Sequence, residues 1–155
     1  RRCLMFEDVL PPQGRFYGRI FVFPARVYYE DTDAGGIVYY ANYLKYAERV
    51  RTEFVRALGC CQQDALEGDD RFGFAVRHLE IDYKAPAVLD DALYVTCELK
   101  EAKGASATMH QDIFRGDKLL ASLDVTVVYL SLNKKRPVRI PAELIRAMEC
   151  LENNL

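Results

Sequence analysis

The chain has 155 residues, 50% of them hydrophobic, with 21 Lys or Arg against 23 Asp or Glu and a formal net charge of −2. That length supports one well-buried core rather than two, and so balanced a charge excludes a dedicated nucleic-acid binder. The longest apolar runs fall far short of a membrane span, and Glu7 and Asp8 break the N-terminal stretch before it can form a signal-peptide core, so a cytoplasmic domain is expected.

Residues 1–19 carry Pro11, Pro12, Gly14 and Gly18 without a sustained period, which predicts an irregular arm ahead of a single domain over 20–155. "IFVFPARVYY", from Ile20, mixes β-branched and aromatic side chains as a strand does, and Pro24 places it on an edge or at a bulge. From Tyr40 the apolar positions Tyr43, Leu44, Ala47, Val50, Phe54 and Leu58 recur at spacings of three and four, predicting a helix over 40–58, about 28 Å long. Gly59 stands where such a helix ends. On the border of its apolar stripe, Glu48 and Arg51 suggest a buried or inter-subunit ion pair. A polar connection, "QQDALEGDDR", leads to four strand-like segments with short breaks at Ala85-Pro86, Lys103-Gly104 and Gly116-Asp117, as antiparallel neighbours require. The clearest alternation sets Leu123, Val125, Val127 and Tyr129 against Asp124, Thr126 and Val128. A final helix starts at Pro141. The order of strand, long helix and four strands describes an α+β domain.

The chemistry concentrates ahead of the long helix, where "EDTDAGG" brings Glu30, Asp31 and Asp33 next to Gly35 and Gly36. Asp33 has two readings. As an N-cap it would satisfy the helix's free N–H groups. As a catalytic carboxylate it would work beside the positive helix end, with two glycines letting a substrate carbonyl approach the backbone. Its seven-residue separation from Tyr40 weakens the first reading. Glu30 and Asp31 flank Asp33, either raising its pKa or simply facing solvent, with no part in the chemistry expected of them. The five cysteines lack a C-x-x-C spacing and lie away from His78 and His110, so reduced thiols and no metal site are expected. The histidines suit strand or interface roles, and the tyrosines at 28, 29, 39, 40, 43 and 46 divide between a pocket wall and ordinary core.

"YYEDTDAGGIVYYANYLKYAERVRTEF", residues 28–54, resembles the hotdog-fold acyl-CoA thioesterases of the 4-hydroxybenzoyl-CoA thioesterase superfamily, and looks closest to the YbgC-type branch associated with the bacterial Tol-Pal system. The resemblance implies a five-stranded antiparallel sheet wrapped around one long central helix, paired into a homodimer or homotetramer. It implies Asp33 as general base or nucleophile and the Tyr40 backbone N–H as oxyanion donor, with Gly35, Gly36, Ile37, Val38, Tyr39 and Lys103 binding substrate. The Tyr40 position often holds His in the YbgC-type branch, so an imidazole role is not expected here. Coenzyme A is part of the substrate and no cofactor is implied. Acyl carrier protein and membrane-linked machinery are further partners that the resemblance allows. "NKKRPVR" competes with Lys103 as a basic patch for the CoA phosphates. The rival function is a non-catalytic acyl-CoA or acyl-carrier-protein binding module. A hotdog dehydratase fits less well, because neither histidine heads a predicted helix.

Overall fold

In the computed structural model, which describes residues 6, 8–60 and 62–152, the stretch from Ile20 forms strand β2 (Ile20–Arg26). Strand β1 (Arg15–Tyr17) pairs with it antiparallel, so the arm expected to be irregular contributes a strand. Gly14 makes this possible, since a Cβ there would stand 2.1 Å from Phe21 Cζ. Phe16 then packs with its ring centroid 5.0 Å from Phe21 and 6.0 Å from Phe54. Three residues are too few for an alternation to be read. Residues 1–5 and 7 of that arm lie outside the described residues. Pro24 falls beyond the end of β1, where β2 has a partner on one side only and no second ladder needs its missing N–H.

Helix α1 runs from Asn42 to Ala57, two residues later at its start than the apolar spacing suggests. Tyr43, Tyr46, Ala47, Val50, Phe54 and Val55 form its buried face, and Gly59 follows with φ +90. Beyond a short helix α2 (Gln62–Leu66) come β3 (Phe72–Tyr83), β4 (Ala92–Lys103), β5 (Ser106–Arg115) and β6 (Lys118–Ser131), the four expected strands. A two-residue β7 (Arg136–Pro137) and helix α3 (Ala142–Glu152) complete the chain's elements. The sheet order is β1-β2-β4-β5-β6-β3, with β7 beside β6, so the expected five long strands are joined by two short ones.

Alternation sets the buried face. Leu123, Val125, Val127 and Tyr129 are buried while Asp124 is exposed. Ile113 pairs with Ala121 but Phe114 with Leu119, which leaves Leu120 as a bulge and lets Leu120 and Ala121 both point inward. The sheet curls around α1. Gln111 of β5, wholly buried, donates its Nε2 to the Ala47 carbonyl of α1 at 3.0 Å and to the Thr96 carbonyl of β4 at 3.2 Å. Its Oε1 accepts from Arg51 Nη1 at 3.0 Å, whereas Glu48 accepts from Thr52 Oγ1 at 2.9 Å. The expected Glu48–Arg51 ion pair therefore does not form within the chain, because each side chain has a nearer polar partner.

Two consequences position the site. The sheet ends on β3, a twelve-residue strand with one edge open and Val76 half exposed. The connection from β3 to β4 lies against the motif ahead of α1: Val38 N–H donates to the Ala87 carbonyl at 2.9 Å, and Ile37 bridges Val88. Asp91 holds this connection by accepting from Arg115 Nη1 at 2.8 Å and from the Val88 N–H at 2.9 Å.

Candidate active site

Asp33 begins a closed turn. Thr32 bridges Val38, the Asp33 N–H donates to the Ile37 carbonyl at 2.9 Å, and the Gly36 N–H returns to the Asp33 carbonyl at 3.0 Å. The Gly35 N–H donates to Asp33 Oδ1 at 2.8 Å, the side-chain turn that Asp favours. Gly36 has φ +80, a conformation in which a side chain would be strained. A Cβ on Gly35 would stand 3.1 Å from Asp33 Oδ1, crowding the oxygen that its own N–H binds. The N-cap of α1 is Ala41, with no side-chain cap, so Asp33 does not cap the helix. Its Oδ2 has no hydrogen-bond partner among the described residues, and the side chain is exposed.

Tyr40 lies just before α1 rather than at its first position. The apolar stripe reaches back to Tyr40, but the hydrogen bonds begin later: Asn42 N–H donates to the Tyr39 carbonyl at 2.8 Å and Tyr39 N–H to the Asp31 carbonyl at 2.9 Å. Between them, the Tyr40 N–H donates to no acceptor among the described residues. The Tyr40 carbonyl accepts from the Tyr83 hydroxyl at 2.8 Å. A cleft of about 320 Å³ opens here, with Ile37, Val38 and Tyr40 on one wall, Tyr83, Lys84 and Pro86 on the other, and Tyr43 between them. The Tyr43 hydroxyl accepts the Ala87 N–H at 2.9 Å, tying the two walls together. The neighbouring Tyr40 phenol, and more weakly the Asp33 charge, push the Tyr39 phenol above its ordinary range. Burial, then Tyr40 and Tyr43, do the same for Tyr83.

The three motif acids separate by environment. Glu30 faces solvent, whereas Asp31 is buried and its Oδ2 accepts the Tyr28 N–H at 2.8 Å. Tyr46 is buried nearby; its hydroxyl meets no partner in good hydrogen-bond geometry among the described residues, and burial, reinforced by the nearby Asp31 carboxylate, raises its pKa strongly. Asp31 is thus a structural acid, and Asp33 is the accessible acid that the turn holds in place.

Of the residues expected to bind substrate, Ile37 and Val38 line the cleft, and Gly35, Gly36 and Tyr39 belong to the turn that carries Asp33 or to its exit. Lys103 is not among them. It ends β4, eleven residues and about 36 Å from the Ala92 end that adjoins the cleft. There the Ile140 N–H donates to the Gly104 carbonyl at 3.0 Å, so Lys103 and the 133–139 basic stretch share one end of the sheet instead of competing from separate places. Tyr83, Lys84 and Pro86 were missed as cleft residues; their only sequence signal was the Ala85-Pro86 break. His110 lies on the sheet face turned away from α1, with Nδ1 2.8 Å from Asp124 Oδ1 and Nε2 3.0 Å from Asp112 Oδ1. His78 is exposed beside Glu80. Among the described residues no group of three or more His, Cys, Asp or Glu could hold a metal ion. Cys97 is buried, which pushes its thiol up to about 12. No helix among the described residues is long and apolar enough to cross a membrane.

Residues 27–148 match the family profile of the thioesterase-like superfamily. The chain is 46% identical over 132 residues to an acyl-CoA thioesterase YbgC of Haemophilus influenzae, covering 85% of this chain and 96% of that protein. A crystal structure of a probable thioesterase from Bartonella henselae superposes with a TM-score of 0.76 at 35% identity, covering 79% of this chain and 99% of the other. The fold is also that of a 4-hydroxybenzoyl-CoA thioesterase mutant solved with 4-hydroxybenzoyl-CoA, with a TM-score of 0.77 at 22% identity and coverage of 84% and 99%.

Proposed function

We propose, for a chain that belongs to the thioesterase-like superfamily and hydrolyses acyl-CoA thioesters, that Asp33 is the catalytic carboxylate and the Tyr40 backbone N–H the oxyanion donor. One observation carries this reading: a carboxylate held by a closed turn, with one oxygen free, stands in the same short segment as an unpaired N–H at a helix start. Hydrolysis needs an attacking oxygen at the thioester carbon and a donor for the oxygen that becomes negative. Asp33 Oδ2 supplies the first, by taking a proton from water or by attacking directly. In the first route the water oxygen bonds to the acyl carbon and its proton passes to Asp33. The Tyr40 N–H, aided by the positive helix end, holds the oxyanion until the C–S bond breaks and CoA leaves as the thiolate. Free acid and CoA are the products, and no cofactor enters.

The active unit is a homodimer at least. The open edge of β3 invites a second copy, and antiparallel pairing of two β3 strands lays the Tyr83 end of one against the Phe72 end of the other. Phe72 pairs with Ser131 and Ser106 with Val128, so Lys103 shares the Phe72 end of the sheet. A partner's Lys103 and basic 134–139 stretch would then lie on the Asp33 side, available to CoA phosphates or to an acidic acyl carrier protein. Peripheral association with membrane-linked machinery and a cytoplasmic location complete the reading.

Steady-state release of free CoA from short, long and aromatic acyl-CoAs tests the function directly. Catalytic turnover of at least one class is the expected result. Stoichiometric binding of every class without CoA release would make the chain a binding module.

A further inference from the structure

We infer that Asn42 is a positioning residue for the reaction, holding the loop that carries Asp33 in register with the Tyr40 N–H. The inference rests on the proposed catalytic role of Asp33. Asn42 is the first residue of α1 and is buried, with 9% of its surface exposed. Its Nδ2 donates to the Asp31 carbonyl at 2.8 Å, across eleven residues. That same carbonyl accepts the Tyr39 N–H at 2.9 Å, and the Asn42 backbone N–H donates to the Tyr39 carbonyl at 2.8 Å. One residue therefore grips both ends of the excursion: Asp31, two residues before the carboxylate, and Tyr39, one residue before the oxyanion donor.

The rest of the loop explains why this grip matters. The turn from Thr32 to Val38 is internally closed by its own hydrogen bonds, so Asp33 moves as part of a small rigid body. Asp31 anchors that body below, through its buried carboxylate on the Tyr28 N–H and its carbonyl on Asn42. Tyr46 of α1 also acts on the Asp31 carboxylate, but among the described residues only Asn42 ties a side chain of α1 to the backbone of residues 31–38. Tyr43 secures the opposite wall instead, through the Ala87 N–H. Without the Asn42 amide the turn can pivot about Ile37 and Val38, which Val88 and Ala87 hold in the cleft wall, and the carboxylate at its far end loses its alignment with the oxyanion donor.

Asn42→Asp is the most direct variant. It keeps the size, removes the donor, and places an acid at a helix start, where the dipole favours it, so the fold should survive. Asn42→Ser is the second variant, should the buried charge unfold the first. We expect kcat for acyl-CoA hydrolysis to fall about 10- to 100-fold, the scale of a displacement on the order of 1 Å in a reacting group. KM should change less than about threefold, because Ile37 and Val38 remain held in the cleft wall by Val88 and Ala87. In an Asp33→Asn background the same substitution should lower the residual kcat by less than about twofold, since there is no longer a carboxylate to position.

A merely structural role predicts otherwise: equal fold-losses in both backgrounds, tracking a lowered Tm. Equal losses, or kcat within about threefold of wild type in folded Asn42→Asp and Asn42→Ser, would overturn the inference. Full turnover of Asp33→Asn alone is a separate outcome, which removes the catalytic reading of Asp33 and the inference with it.

Discussion

Replacing Tyr40 in two ways separates its backbone from its phenol. Tyr40→Pro deletes one N–H, and in the folded chain that N–H donates to no acceptor among the described residues, so no protein hydrogen bond is lost. The Tyr40 carbonyl, which accepts from Tyr83, is retained, and Tyr40 lies ahead of α1, where no intrahelical hydrogen bond needs its N–H. The ground state should therefore survive, while the transition state loses a donor aimed at its developing charge. Loss of one such donor costs about 3 kcal/mol, or roughly 10² in kcat. Tyr40→Phe keeps the N–H and removes a hydroxyl on a side chain that is 62% exposed, so kcat should stay within about threefold of wild type. The assay is steady-state CoA release trapped by a thiol reagent, with thermal melts to show that both variants fold. If Tyr40→Phe were as inactive as a carboxylate-free variant, the phenol would be a catalytic acid and the backbone mechanism would be wrong; a fully active Tyr40→Pro would contradict it equally.

Three further outcomes are expected. Burial would raise the Asp91 pKa, but the Val88 N–H and Arg115 outweigh it and hold the carboxyl below its ordinary 3.8. Its stabilisation is therefore present above that value and fades as pH falls through the folded pKa; Asp91→Asn should lower Tm at pH 7 and approach wild type as the pH falls through that lowered pKa. His110 carries the opposite sign: burial would lower its pKa, but Asp124 and Asp112 raise it above 6.5, so the contribution is full below 6.5 and is lost as pH rises through the folded value. The Tm deficit of His110→Gln should accordingly be larger at pH 5.5 than at pH 9, and a deficit independent of pH would refute this. Finally, Val76→Lys on the open β3 edge should shift sedimentation from dimer towards monomer and lower CoA release in parallel; a fully active monomer would contradict the shared site.

The sequence made the large features readable because they depend on side-chain periodicity. Tyr43, Ala47, Val50 and Phe54 mark the buried face of α1, and Leu123 to Tyr129 mark that of β6, since a period of 3.6 or 2 is visible in one dimension. Features governed by hydrogen bonding were displaced or hidden. Tyr40 belongs to the apolar stripe but not to the helix, because the hydrogen bonds at Tyr39 and Asn42 set the boundary. The turn that carries Asp33 was legible from its glycines, whereas Asp31 was not legible as the anchor, since its burial depends on Tyr28 and on residues of α1. Lys103 sits in the expected hairpin but at the wrong end of β4 for an intrachain site, and only strand order reveals that. The short strands β1 and β7 have too few residues to show any period.

The central claim is that Asp33 carries out the chemistry, and the most direct measurement is kcat of Asp33→Asn on the acyl-CoA that wild type turns over best. The Asn side chain can keep accepting the Gly35 N–H through its Oδ1, so the turn and the thermal melt should be preserved. A kcat reduced by about 10² or more in a folded variant is the result expected when a base or nucleophile is removed. Turnover near the wild-type rate would contradict the account.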